Sequence, residues 1–70
     1  MSGIAEIVEL VGASEKSWAD AAQVAVNEAI KTIRGVRGID VKDLTAKVDS
    51  DTGKIREYRV CVKLSFAVER

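Results

Sequence analysis

From Ile55 to Val68 apolar and polar side chains alternate, with Tyr58, Val60, Val62, Leu64, Phe66 and Val68 on one face and Glu57, Arg59, Cys61, Lys63 and Ser65 on the other. That period of two predicts a half-buried antiparallel strand. At about 3.3 Å per residue the strand runs to roughly 45 Å, longer than a compact domain of this size is wide, since such a domain has a radius of gyration near 11 Å. It must bend, overhang the rest of the molecule, or be covered by another copy of the chain.

Ile4 to Val11 is apolar on both faces, with Glu6 interrupting one and Glu9 the other, which suits a strand covered on both sides. Gly12-Ala13-Ser14 is expected to break it. Ser17 has the chemistry of a helix N-cap, and Asp20, three residues on, is placed to reach back as in a capping box. Trp18, Ala22, Val26, Ala29, Ile30 and Ile33 recur at helical spacing. They predict a helix of about four turns, roughly 25 Å, that stops near Gly35 with Lys31 and Arg34 on its last turn. Ile39 to Val48 predicts a second strand, and Asp49-Ser50-Asp51-Thr52-Gly53 a polar turn into the third. The order strand, helix, strand, strand defines an α+β fold, a three-stranded antiparallel sheet wrapped around one helix, with residues 1–70 as a single domain.

Composition narrows what such a domain can do. A chain of 70 residues sits where one core gives only a few kcal/mol and needs reinforcement from disulfides, metal or oligomerisation. Cys61 is the single cysteine, so no bridge forms within the chain, and no signal peptide or membrane-crossing run is evident. A cytoplasmic setting is expected. Eleven basic and eleven acidic residues cancel to zero net charge, which offers no footprint for nucleic acid or an anionic membrane. Oligomerisation with bound ions or ligands is the remaining reinforcement. The sheet face away from the helix, with Ile55, Cys61 and Ala67 among Arg59 and Lys63, has the mixed character of a subunit interface.

Catalysis is not expected. The chain has no histidine, no nucleophile–base pair and no Gly-rich phosphate loop, and Cys61 has no partner to activate it.

The stretch VELVGASEKSWADAA from Val8 to Ala22, with EYRV from Glu57 and LSF from Leu64 in the last strand, resembles the dodecins, and length and element order agree over the whole chain. The resemblance implies a hollow, spherical homododecamer with helices outside and curved sheets facing inward. It implies flavin storage or sequestration, in which two flavins stack at each two-fold axis between tryptophans of neighbouring subunits. The family's stacking tryptophan falls at Gly38, which has no π surface. Such stacking is worth on the order of 1–3 kcal/mol per contact, by analogy with base stacking. The glutamine that typically bonds the flavin ring edge falls at Arg59, which donates but cannot accept, and Thr45 stands where some members carry arginine. Trp18, at the helix start, is expected to pack under the helix.

Arg59 either pairs with a carboxylate such as Glu57 of a neighbouring chain or grips an anionic ligand bidentately. Acidic oxygens supply the other candidate chemistry. Asp49, Ser50, Asp51 and Thr52 put two carboxylates and two hydroxyls on one turn, without the spacing of an EF-hand. The resemblance adds Asp43, near a position where some dodecins carry an acidic residue close to a divalent cation. Symmetry multiplies modest ligands, and such irregular oxygens suit calcium better than magnesium. The expected function is a shell that stores a small ligand or divalent cation with a weakened flavin site. The alternative is an FMN- or riboflavin-storing dodecin that holds its ring with other groups, Arg59 among them. A partner-binding or membrane-associated adaptor is disfavoured by the neutral charge and the lack of a basic amphipathic helix.

Overall fold

A computed structural model describes the backbone of residues 4–68 and the side chains of residues 8–66. The elements are β1 (Ile4–Ser14), α1 (Trp18–Ala29), β2 (Val36–Val48) and β3 (Ile55–Val68). The expected α+β order is therefore present. The strands form one antiparallel sheet in the order β1-β3-β2, which puts the strongly alternating β3 in the middle. The faces expected for Glu6, Ala67 and Val68 lie outside the described side chains.

The core lies between α1 and one face of the sheet. Val60, Val62 and Leu64 of β3 are fully buried there against Ala21, Ala25 and Ala29 of the helix, with Leu10, Ala22, Ile33 and Val36 packed around them. Burying each of the three large side chains stabilises the fold by about 1.5–3 kcal/mol. The buried line of the helix runs through alanines spaced four apart, and not along the larger residues Val26 and Ile30 of the expected stripe. Ile30 is 55% exposed. Close approach explains the shift: an added Cβ at Gly12 would collide with the Ala21 carbonyl oxygen and sit 3.1 Å from the Ala25 Cβ. Only small side chains fit where backbone meets backbone so closely. Gly12 accordingly does not break β1, which continues to Ser14.

The helix also departs from expectation at both ends. Ser17 caps it, its Oγ accepting from the Asp20 N–H at 2.9 Å. The Asp20 carboxylate does not reach back to Ser17 but accepts from the Ser14 hydroxyl at 2.6 Å, which ties the end of β1 to the first turn. At the other end α1 stops at Ala29, well before Gly35. The chain tightens there into i→i−3 bonds, Lys31 N to Glu28 O and Thr32 N to Ala29 O, through a run containing the β-branched Ile30, Thr32 and Ile33, poor formers of a regular helix. Twelve residues give about 18 Å of helix, not 25. Gly35, at φ 74°, then turns the chain into β2, which begins at Val36 and not at Ile39.

A short helix over long strands leaves the protomer extended. It measures 57 × 20 × 13 Å with a radius of gyration of 14.7 Å, against about 11 Å for a compact chain of this length. The long strand overhangs. Val11, on the face away from the helix, is 65% exposed, so β1 is not covered on both sides within one protomer.

Candidate functional site

Residues directly opposite in an antiparallel ladder share a face, so the register defines what stands together away from the helix. Arg59 lies between Ala13 of β1 and Thr45 of β2, Cys61 between Val11 and Asp43, and Lys63 between Glu9 and Asp40. Ser65 stands beside Gly38, and Glu57 beside Lys47. Gly38, Asp43, Thr45 and Arg59 are therefore all on this open face. Ile55 is not one of them in the expected way: a register shift between Lys47 and Val48 pairs it with Val48, so simple alternation with Glu57 fails.

Arg59 donates its Nε–H to Glu57 Oε1 at 2.8 Å. The partner is Glu57 of its own strand, two residues away. Engaging Nε leaves the two Nη groups, the fork that grips a carboxylate or phosphate, without a partner among the described residues. The bond from Arg59 holds the Glu57 carboxyl below the ordinary glutamate range, helped by the charges of Arg59, Lys47 and Arg56 and opposed by partial desolvation. Thr45 offers its hydroxyl beside Arg59, while its backbone carbonyl is taken from the other side by the indole N–H of Trp18.

Gly38 is open to solvent. A Cβ there meets only the Ser65 Oγ at 3.9 Å, and Gly38 is absent from the positive-φ positions, which are Gly35 and Gly53. Neither space nor backbone geometry demands glycine. Along β3 the partners of Gly38 and Thr45, Ser65 and Arg59, are six residues apart, or about 20 Å. Within one protomer Gly38 and Arg59 do not form one pocket.

The acidic candidates are likewise dispersed. Asp49 Oδ1 accepts from the N–H groups of Asp51 at 2.8 Å and Thr52 at 3.2 Å, while Gly53 N–H donates to Asp49 O and Asp49 N–H to Lys54 O, each at 2.8 Å. One carboxylate oxygen of Asp49 thus closes the turn. Asp43 lies within β2 beside Cys61, six residues from Asp49 along the chain. Among the described residues, no three acidic or cysteine side chains gather as a metal-holding group.

Two features of the open face escape a reading by alternation. Lys42 and Asp43 both stand opposite Cys61, because the register shifts between Val41 and Asp43. This bulge frees the Lys42 ammonium to reach across the sheet to Glu9 Oε2 at 3.8 Å. The signal in the sequence was two consecutive polar residues, Lys42-Asp43, between the apolar Val41 and Leu44. A strand that keeps strict alternation has one polar residue there.

No described helix is long and apolar enough to cross a membrane. The fold and its charged open face define a small α+β binding module, and the comparisons give its family. The dodecin family model matches residues 4–69. The dodecin of Thermus thermophilus is 33% identical over 69 residues, which cover 99% of this chain and 97% of that protein. An arginine-to-alanine variant of that dodecin has a crystal structure with a TM-score of 0.90 at 31% identity, covering 97% of this chain and 98% of the other. The calcium dodecin of Mycobacterium tuberculosis, described as a calcium chelating immunodominant antigen with a novel calcium-binding site, is 32% identical with a TM-score of 0.80, over 94% of this chain and 91% of that one. The chain belongs to the dodecin family. Dodecins are not enzymes, and they oligomerise.

Proposed function

We propose that this dodecin forms a hollow twelve-subunit shell that binds a small ligand or a divalent cation, with calcium favoured, and holds flavin only weakly. The observation that carries this reading is bare Gly38 on the charged open face: the position the dodecin resemblance gives to a stacking tryptophan has no side chain, although the backbone accepts one. Arg59 presents donors only where an amide would offer both a donor and an acceptor. The calcium dodecin of Mycobacterium tuberculosis, at 32% identity, supports calcium as the first ion to try. Asp43 on the open face, and Asp49 and Asp51 on the turn, are the candidate ligands, each completed by symmetry copies.

Fluorescence-quenching titration with FMN or riboflavin tests the weakened site. Wild-type protein binds more weakly than Gly38→Trp by at least tenfold, if one stack of about 1.4 kcal/mol is regained. Equal affinities defeat the assignment of position 38. A yellow purified protein with quenched flavin fluorescence supports the second reading, flavin storage with the Arg59 guanidinium stacking in place of an indole.

A further inference from the structure

We propose that the open face, at the end nearest the β2–β3 turn, binds a phosphate group through the Nη fork of Arg59, the ammonium of Lys47 and the hydroxyl of Thr45. The register brings these three together. Thr45 is paired with Arg59 and Lys47 with Glu57, so all four stand on one face of two adjacent strands. Directly opposite residues are about 4.5–5.5 Å apart and diagonal ones such as Lys47 and Arg59 about 7–8 Å, within reach of long side chains. Ala13, paired with Arg59 on its other side, brings only a methyl group and leaves that flank uncrowded. Asp43, paired with Cys61, bounds the site farther from the turn.

The donors are unused and two of them are held. Among the described residues the Nη groups of Arg59, the Lys47 ammonium and the Thr45 hydroxyl have no hydrogen-bond or ion-pair partner. Glu57 fixes the guanidinium by its bond to Nε at 2.8 Å, and the Trp18 indole fixes the backbone of Thr45 at 2.9 Å. Charge favours an anion as well. Lys47, Arg56 and Arg59 together bear on the single carboxylate of Glu57, so positive charge is in excess.

The donor count selects phosphate over carboxylate. A planar carboxylate has two oxygens, and the Arg59 fork alone can engage both. Lys47 and Thr45 then need the further oxygens of a tetrahedral group, whose charge of about −1.5 to −2 near neutral pH also suits several cations. Phosphate can come free or as a monoester on an organic molecule. The inference rests on the proposed ligand-binding reading of this face and names the chemistry it takes, but it needs residues of one protomer only.

Calorimetric titration at low ionic strength, where surface charges are least screened, tests it with inorganic phosphate, phenyl phosphate and acetate. Wild type is expected to bind both phosphates and to bind acetate at least about tenfold more weakly. Arg59→Lys keeps the charge but loses the fork, and should weaken phosphate binding by about tenfold. Lys47→Gln and Thr45→Val should each weaken it measurably, while Arg34→Gln, an exposed cation on another part of the chain, should not. Tighter binding of phenyl phosphate would assign the site to a monoester, and tighter binding of inorganic phosphate to the free ion. The proposal is overturned if millimolar phosphate does not bind, if acetate binds as tightly, or if Arg59→Lys matches wild type. It is equally overturned if Arg34→Gln loses as much as Arg59→Lys, since binding would then follow overall charge. If phosphate fails while calcium or riboflavin binds, the ligand-binding reading stands and this inference alone falls. If phosphate binds to protein of single-chain mass, the shell falls and this site stands.

Discussion

The indole N–H of Trp18 donates to the carbonyl oxygen of Thr45 at 2.9 Å, across a separation of 27 residues. The first residue of α1 is thereby tied to β2, the strand the helix does not cover. Tyr58 of β3 completes the tie, its ring edge-on to Trp18 with centroids 4.9 Å apart at 75°. Trp18 is 36% exposed and lies outside the residues packed around the core, so it does not sit under the helix as expected; it links the helix start to the edge strand that carries Asp43 and Thr45.

Trp18→Phe keeps an aromatic ring against Tyr58 and deletes the donor, so it should cost about 1 kcal/mol. Trp18→Ala also loses the aromatic pair and should cost roughly 0.5–1.5 kcal/mol more, plus the lost burial. Urea unfolding at one fixed protein concentration measures both, because the stability of an oligomer depends on concentration. A Phe variant as stable as wild type would show that the bond to Thr45 contributes nothing.

Gly12 and Gly38 predict opposite outcomes for the same substitution. At Gly12 the added methyl meets the backbone of Ala21 and the Cβ of Ala25. Overpacking of this kind costs about 1–3 kcal/mol. At Gly38 the nearest atom is 3.9 Å away, and removing glycine's freedom in the unfolded chain stabilises by about 0.4–1 kcal/mol where the backbone is compatible. Thermal melting should therefore place Gly12→Ala below wild type and Gly38→Ala at or slightly above it. Indistinguishable melting temperatures would contradict the close helix–sheet approach at Gly12.

The contrast between these glycines shows what a linear pattern conveys. The alternation of Tyr58, Val60, Val62 and Leu64 needs only nearest-neighbour geometry, so the central strand and its buried face were legible. The polar turn at Asp49–Gly53 was legible for the same reason, its bonds being local. Gly12 looked like a punctuation mark because its function depends on Ala21, nine residues later and on another element. The bulge at Lys42 was equally hidden, since one extra residue in a strand shows only once its partner is known. In the candidate site, Thr45 and Arg59 come together by register, whereas the separation of Gly38 from Arg59 follows from strand length.

Glu57 carries the pH prediction. Its folded carboxyl titrates below the ordinary glutamate range, chiefly through the hydrogen bond from Arg59. A lowered folded pKa contributes stability that is present above the unfolded value of about 4.3 and is lost as pH falls through the folded one. Carbon-detected NMR titration should show Glu57 protonating at lower pH than an ordinary glutamate. Arg59→Ala should move it upward. An unmoved titration would mean that Lys47 and Arg56, not Arg59, hold the carboxylate.

Calcium should stabilise the protein only where two or more copies pool their oxygens, because one protomer gathers no metal-holding group among the described residues. A cation bound to the folded assembly alone adds about 2.7 kcal/mol at a hundredfold excess over its dissociation constant. Melting with calcium, magnesium and chelator reads this directly, and two variants locate the ligands. Asp43→Asn removes a charge from the open face. Asp49→Asn/Asp51→Asn removes two from the turn, and the amide oxygen that replaces the Asp49 carboxylate oxygen still accepts the N–H groups of residues 51 and 52, so the turn itself survives. If the Asp43 variant alone loses the calcium response, the ion sits on the open face between copies. If only the double variant loses it, the hairpin turns meet around the ion. No shift in melting at millimolar calcium or magnesium would reduce the acidic turn to a turn, and would turn the search toward an anion for the free Nη edge of Arg59.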